Sequence, residues 1–277
     1  MKLFSRYLVP ALCLLATTAH AIETDHLQGL GDTRYHNIQS AVLGREFHVY
    51  VMLPDGYSRK SRETYPTIYL LDGGALFPML VGYYRYLQFG GELPEAIIVG
   101  ISYGANDYEN GNLRSTDYTA PSSERSYYGG AAKFQGFLKR QLIPLIEDEY
   151  RSRADRRIIF GQSIGGQFVL YTAQTDPALF WGHIASNPAL HRNLDYFLAQ
   201  SPESISNSRL FVANGTRNDS RFQEPASKWI EHWSKVTHPP WKLQTMDLQD
   251  HTHMSTPPAA FRQGMNWLFA DNTPDDD

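Results

Sequence analysis

"IIFGQSIGGQF", residues 158–168, sets one serine among three glycines directly behind an apolar, β-branched run. Arg157 to Phe160 reads as a buried strand, and the stretch from Ile164 onward reads as the start of a helix. The spacing Gly161-x-Ser163-x-Gly165 between them is that of a nucleophile elbow. A serine at the tip of so sharp a turn has a strained backbone, and its neighbours must carry no side chains, a need that Gly161 and Gly165 meet. The helix then aims its first amides at the site. The N–H of Ile164 is placed to donate to the oxyanion formed when Ser163 attacks a carbonyl. The plain alternative is a glycine-rich helix start in which Ser163 caps or packs. A strand before and a helix after favour the elbow.

Outward from this motif, short apolar runs punctuate the chain. "EFHVYVML" (46–53) alternates as a half-buried strand does, and "WKLQTMDL" (241–248) alternates again. Residues 67–71, 96–102, 157–160, 182–186 and 209–214 are mostly apolar, which suits central strands of a parallel sheet covered on both faces. Helical spacing appears in 133–150, after the serine, in 222–235 and in 259–269. Pro144 should kink or shift the first of these. Alternating strands and helices predict a single α/β domain over residues 22–277 with a mostly parallel central sheet and helices on both faces. The stretches 103–130 and 187–208 read as loops over the C-terminal edge of the sheet, where sites are built.

A serine nucleophile needs a base, and in a strand-turn-helix hydrolase the order is nucleophile, acid, histidine. The late candidates are His251 and His253, both in the loop "LQDHTHMSTPPAA". The acid should follow strand 209–214, and Asp219 stands there, with Glu224 and Asp250 as rivals. Asp219 would accept Nδ1–H of the histidine and fix its tautomer, although its place before a helix also suits an N-cap. The second oxyanion donor should follow an early strand. "YLLDGGALF" offers Gly74, where glycine lets the backbone approach a substrate.

The first residues, "MKLFSRYLVPALCLLATTAHA", carry Lys2 and Arg6, an apolar run too short for a bilayer, and a small-x-small site. They read as a secretory signal peptide cut after Ala21. Cys13 is the only cysteine, so the mature chain has none and forms no disulfide, which suits a bacterial periplasm or another secreted setting for a domain of this size. The whole chain has 277 residues and a net charge of −4. Loss of the leader leaves 23 basic against 29 acidic residues, a net −6. With no basic run, nucleic acid is not an expected partner, and no membrane contact is expected after cleavage. The acidic tail "DNTPDDD" is expected to fray. His251-x-His253 lacks a third ligand at useful spacing, so neither metal nor cofactor is expected.

Taken with their spacing, these segments resemble the putative-esterase family of α/β-hydrolases, whose members include esterase D and enterobactin-type siderophore esterases. "VLGREFHVYVMLPDGY" is similar to its opening strands and "YPTIYLLDGGALF" to its oxyanion segment. "LRSTDYTAP" matches its Arg-x-x-Asp-x-x-x-Pro segment through Arg114, Asp117 and Pro121. "FGQSIGGQFVLYTAQTDPALFWGHIASNPAL" resembles its elbow, and "HMSTPPAAFRQGMNWLF" its histidine and last helix. The register of that last match implies His253 as the base. The chain departs from the pattern in Asn187-Pro188, where Ser-Pro is usual, and in Asn218, which stands nearest the usual acid with Asp219 beside it. The resemblance implies a secreted serine esterase acting through an acyl-enzyme on a small-molecule ester. A siderophore trilactone is favoured, with Arg114 or Arg125 meeting its anionic iron-loaded form. Acyl transfer, or hydrolysis of a small-acyl, feruloyl or thioester substrate, are the enzymatic alternatives. A silent binding protein on a hydrolase scaffold is the non-enzymatic one.

Overall fold

A computed structural model describes residues 28–57, 62–199, 207–237 and 239–270. The signal-peptide reading, Cys13 and the acidic tail lie outside the described residues. Eight strands form one sheet: β1 (Asp32–Ser40), β2 (Arg45–Leu53), β3 (Tyr65–Leu70), β4 (Ile97–Ser102), β5 (Ser152–Gln162), β6 (Gly182–Ser186), β7 (Arg209–Gly215) and β8 (Lys242–Leu248). Their spatial order is β1-β2-β4-β3-β5-β6-β7-β8. The pairs β1–β2 and β2–β4 are antiparallel, and every later pair is parallel.

The central strands are apolar because both faces are covered. Every residue of β3, β4 and β6 is buried. One face is packed by α1 (Gly73–Phe89) and α8 (Thr256–Phe269), through side chains such as Phe77, Leu80, Phe261 and Met265. The other face carries α3 (Ala131–Phe137), α5 (Ile164–Thr175) and α7 (Ser220–Ser234), which bring Phe134, Phe168, Trp229 and Trp233 together. The expected kink at Pro144 takes a definite form. α3 passes through a π-helical turn, Leu138–Leu142, into α4 (Ile143–Glu149), and Pro144 sits in the first turn of α4. The helix continues through this point, and the wider turn absorbs both the ring and the missing N–H.

Two short helices, α2 (Arg114–Asp117) and α6 (Leu194–Ala199), lie within the stretches read as loops. Two larger elements were not expected: strand β1 and helix α1. The C-terminal ends of β3, β5, β6, β7 and β8 share one edge of the sheet, and the candidate residues sit in the turns that leave it. This is the architecture of the α/β-hydrolase fold. Among the described residues no helix is long and apolar enough to cross a membrane.

Candidate active site

β5 ends at Gln162 and α5 starts at Ile164, so Ser163 alone makes the turn. Its φ of 59° and ψ of −117° lie outside the regions that L-residues favour. The backbone is held there from three sides. Ser163 N donates to Ser186 O at 2.9 Å, while Ser163 O accepts from Gln167 N and Ala189 N, each at 3.0 Å. A Cβ on Gly161 would lie 2.3 Å from the carbonyl oxygen of Gly165, so only glycine fits. The second glycine the turn needs is Gly166, where a Cβ would meet Ser186 O at 2.8 Å. At Gly165 a Cβ would find only ordinary contact, with Asp72 Oδ2 at 3.4 Å. The motif's last glycine therefore matters less to the turn than its neighbour does.

Gly74 lies in the first turn of α1, not in a loop. The first hydrogen bonds of that helix run from Ala75 N and Leu76 N to Asp72 O, so helix geometry gives the N–H groups of Gly73 and Gly74 no partner carbonyl. Both glycines face a groove of about 950 Å³. Its wall includes Tyr35, Tyr50 and Phe77, with ring centroids 5.5 and 5.7 Å apart in sequence along the row. Asp72 turns the chain from β3 into α1 with φ 54° and ψ 40°, a left-handed conformation that aspartate tolerates.

Arg114 does not stand free in the mouth. Its Nε and an Nη donate to the two carboxylate oxygens of Asp72 at 2.6 and 2.7 Å. Burial works against the Arg114 charge, but Asp72 outweighs it and raises the guanidinium pKa above its usual value. The expected substrate contact is thus a brace between α2 and the turn before α1. Asp117, which follows Arg114 in the motif, is buried and bonds instead to Arg45 and to the Tyr103 hydroxyl.

The two histidines separate clearly. His251 Nδ1 lies 3.0 Å from Ser255 O, inside its own turn. His253 is tied to the elbow, because its carbonyl accepts from Gln162 Nε2 at 2.7 Å and from Asn187 Nδ2 at 3.3 Å. Its Nδ1 lies 3.2 Å from Oδ1 of Asn218. The expected acid is therefore displaced by one residue. Asp219 is the N-cap of α7, its Oδ1 accepting from Arg221 N at 3.0 Å, and its side chain is 56% exposed. Since Asp219 is spent on the helix start, its buried neighbour Asn218 faces the ring. Among the described residues no carboxylate, Glu224 and Asp250 included, hydrogen-bonds to His253.

The amides settle the histidine tautomer. Gly215 N donates to Asn187 Oδ1 at 2.9 Å, and Asn218 Nδ2 donates to the same oxygen at 3.3 Å. Asp219 N donates to Asn218 Oδ1 at 3.0 Å. Each amide is thus oriented by a backbone donor, and the atom facing His253 is an oxygen. Nδ1 must carry the proton, which leaves the lone pair on Nε2. Burial lowers the pKa of His253, and Arg221 and Arg114 lower it further. The ring rests on Phe222, with centroids 4.5 Å apart and planes 26° apart. Gln162, Asn187 and Asn218 were not anticipated in these roles. Only Asn187 and Asn218 had drawn notice in the sequence, as departures from the family pattern.

Residues 40–265 match the family model Esterase, described as "Putative esterase". The ferri-bacillibactin esterase BesA of Bacillus subtilis is 25% identical over 87% of this chain and 91% of its own. The apo-salmochelin esterase of Escherichia coli is 26% identical over 64% of this chain and 59% of its own. Among solved structures, an IroE-like serine hydrolase from Shewanella oneidensis superposes with a TM-score of 0.74, at 24% identity, over 88% of this chain and 82% of that one. The match spans the elbow, the Asn187 network and His253 alike, and on it the chain belongs to the Esterase family and is an ester hydrolase.

Proposed function

We propose that this chain is an exported serine esterase that opens the trilactone ring of a siderophore through an acyl-enzyme. The observation that carries the mechanism is a strained Ser163 whose preceding residue, Gln162, donates to the backbone carbonyl of His253. Siderophore esters are the substrates named for the relatives BesA and the apo-salmochelin esterase. The leader read in residues 1–21 supports export to a periplasm.

In this reading Ser163 Oγ attacks a lactone carbonyl while its proton passes to Nε2 of His253. The oxyanion accepts hydrogen bonds from the N–H groups of Ile164 and Gly74. Asn218 Oδ1 holds the ring by its Nδ1–H, doing with a neutral oxygen what a carboxylate does in a charged triad. The imidazolium then returns its proton to the departing alkoxide. In a trilactone that alcohol stays attached to the acyl group, so the first cut linearises the ring. Water, activated by the same nitrogen, frees Ser163.

The test is to incubate the protein from Ile22 onward with iron-free and ferric tris-catechol trilactones in H₂¹⁸O, beside short aryl esters, and to follow products by mass spectrometry. Linear trimer carrying one ¹⁸O, lost in Ser163→Ala, is the expected result. Activity above a tenth of wild type in Ser163→Ala would remove the nucleophile. An intact trilactone beside hydrolysed aryl esters would remove the siderophore, and acyl transfer to added alcohol in preference to water would replace hydrolysis.

A further inference from the structure

The arginines around the site fall into two groups. Arg114 is neutralised by Asp72 and Arg45 by Asp117, while Arg34 and Arg85, on the groove beside Gly74, pair with Asp32 and Asp55. On the opposite side, next to His253, the charges are arranged differently. Phe222 is gripped between two imidazoles: His253 stacks on it, and His191 meets it edge-on at 5.0 Å and 89°. The guanidinium of Arg221 lies 4.6 Å from the centre of the Phe222 ring. Nε of Arg192 donates to Nε2 of His191 at 3.0 Å, and its Cζ is 5.9 Å from the Tyr128 ring.

Neither cation is committed to a carboxylate. Among the described residues Arg192 has no ion pair. The carboxylate nearest Arg221 is that of Asp219, 3.7 Å away, with both side chains more than half exposed and the acid already accepting from the backbone of α7. Such a contact in water holds a guanidinium weakly. The row of rings therefore carries positive charge at its His191 end, from the loop after β6, and over its middle ring, from the first turn of α7. Arginine over aromatic faces suits a ligand that is itself both aromatic and anionic.

We propose that Arg192 and Arg221, set along the His253–Phe222–His191 row, form a subsite for the anionic aryl part of the ester. This deepens the reading above and rests on it for the substrate: in a ferric tris-catecholate, six phenolate charges exceed the three of the metal, so the iron-loaded trilactone is a polyanion built of aromatic rings. The subsite, rather than Arg114, then supplies the positive charge that such a substrate requires.

The experiment uses two acetates with the same acyl group, anionic 4-acetoxybenzenesulfonate and neutral 4-nitrophenyl acetate, with wild type and the double variant Arg192→Gln/Arg221→Gln. The ratio of kcat/KM for the anionic over the neutral ester should fall about tenfold in the variant, and the decline of the anionic rate with added salt should flatten. The ferric trilactone is run in parallel. A ratio and a salt slope unchanged from wild type, in a variant with the wild-type unfolding midpoint, would overturn the subsite whatever happens to the trilactone. A fallen ratio with no trilactone opened would keep the subsite and overturn the siderophore. If the double variant unfolds early, the single variant Arg221→Gln, at an exposed position, is judged on the same ratio.

Discussion

Replacing Ser163 by glycine should make this protein more stable while destroying its activity. The φ of 59° and ψ of −117° at Ser163 cost an L-residue on the order of 1–3 kcal/mol. Glycine adopts that conformation without the penalty, but its extra freedom in the unfolded chain takes back about 0.5–1 kcal/mol. The net gain is about 1–2 kcal/mol, and at roughly 2–4 °C per kcal/mol for a domain of this size Tm should rise by about 2–8 °C. Ser163→Ala is the control, since it removes the hydroxyl, keeps Cβ and so keeps the strain. Both variants should be inactive on an aryl ester. Thermal unfolding followed by near-ultraviolet circular dichroism separates them. If Ser163→Gly melts at or below Ser163→Ala, the elbow stores no strain and the turn is held by its hydrogen bonds alone.

Asn218→Asp would place a carboxylate on Nδ1 of His253, raising the pKa of the ring by about 1–2 units. The acid limb of the kcat/KM profile, expected below the free-histidine value in wild type because His253 is lowered, should move up accordingly; a limb that stays put would remove Asn218 as the ring's partner. His183 is fully buried in β6, and burial lowers its pKa to about 4. Its unfolded form binds a proton first, so stability is full above about pH 6.5 and is lost as pH falls to about 4, by roughly 3 kcal/mol. Urea midpoints from pH 7 to 4.5 should fall less steeply in His183→Leu, and equal slopes would refute the assignment. Gly161→Ala should destabilise by about 3 kcal/mol or more, given the 2.3 Å approach to Gly165 O, whereas Gly165→Ala should cost under about 1 kcal/mol. Equal midpoints for the two would show that the turn relaxes.

Strands with both faces covered were legible because burial leaves them little but apolar residues: β6 spans Gly182–Ser186 as expected, and β3, β4 and β7 differ only at their ends. β5 begins at Ser152, five residues before the expected start at Arg157, because its opening residues are polar or small and none of them is buried. β1 was illegible. Of its nine residues only Ser40 is buried, and much of what anchors it besides β2 is polar, His36 on the Tyr150 hydroxyl and Ser40 on Gln141, which leaves no apolar period to read. α1 was hidden by its own opening. Gly73 must pack where a Cβ would lie 2.5 Å from Ile101 N, and Pro78 interrupts the helical pattern, so the stretch reads as a turn. In the site, the order of motifs pointed to a carboxylate after β7, and Asp219 satisfied it on paper. Its capping of α7 decides otherwise, because a side chain that closes a helix start cannot also turn back to the histidine. The partner of Arg114 was out of reach for another reason: Asp72 is 42 residues upstream, and only the sheet brings them together.

The bonds from Gln162 and Asn187 to the carbonyl of His253 have a bearing on how this scaffold can diversify. They tie the backbone of the base to the residue before the nucleophile and to the first residue after β6. The rim contributed by residues 103–113 and 190–193, which carries none of these bonds, can therefore be lengthened, shortened or exchanged without re-aligning the proton transfer. A graft of a foreign rim onto this chain should change which esters are accepted before it changes how fast an accepted one is cleaved. Conversely, an insertion between Asp250 and His253 would slide the base out of alignment with the serine, and no improvement in substrate fit would compensate for it.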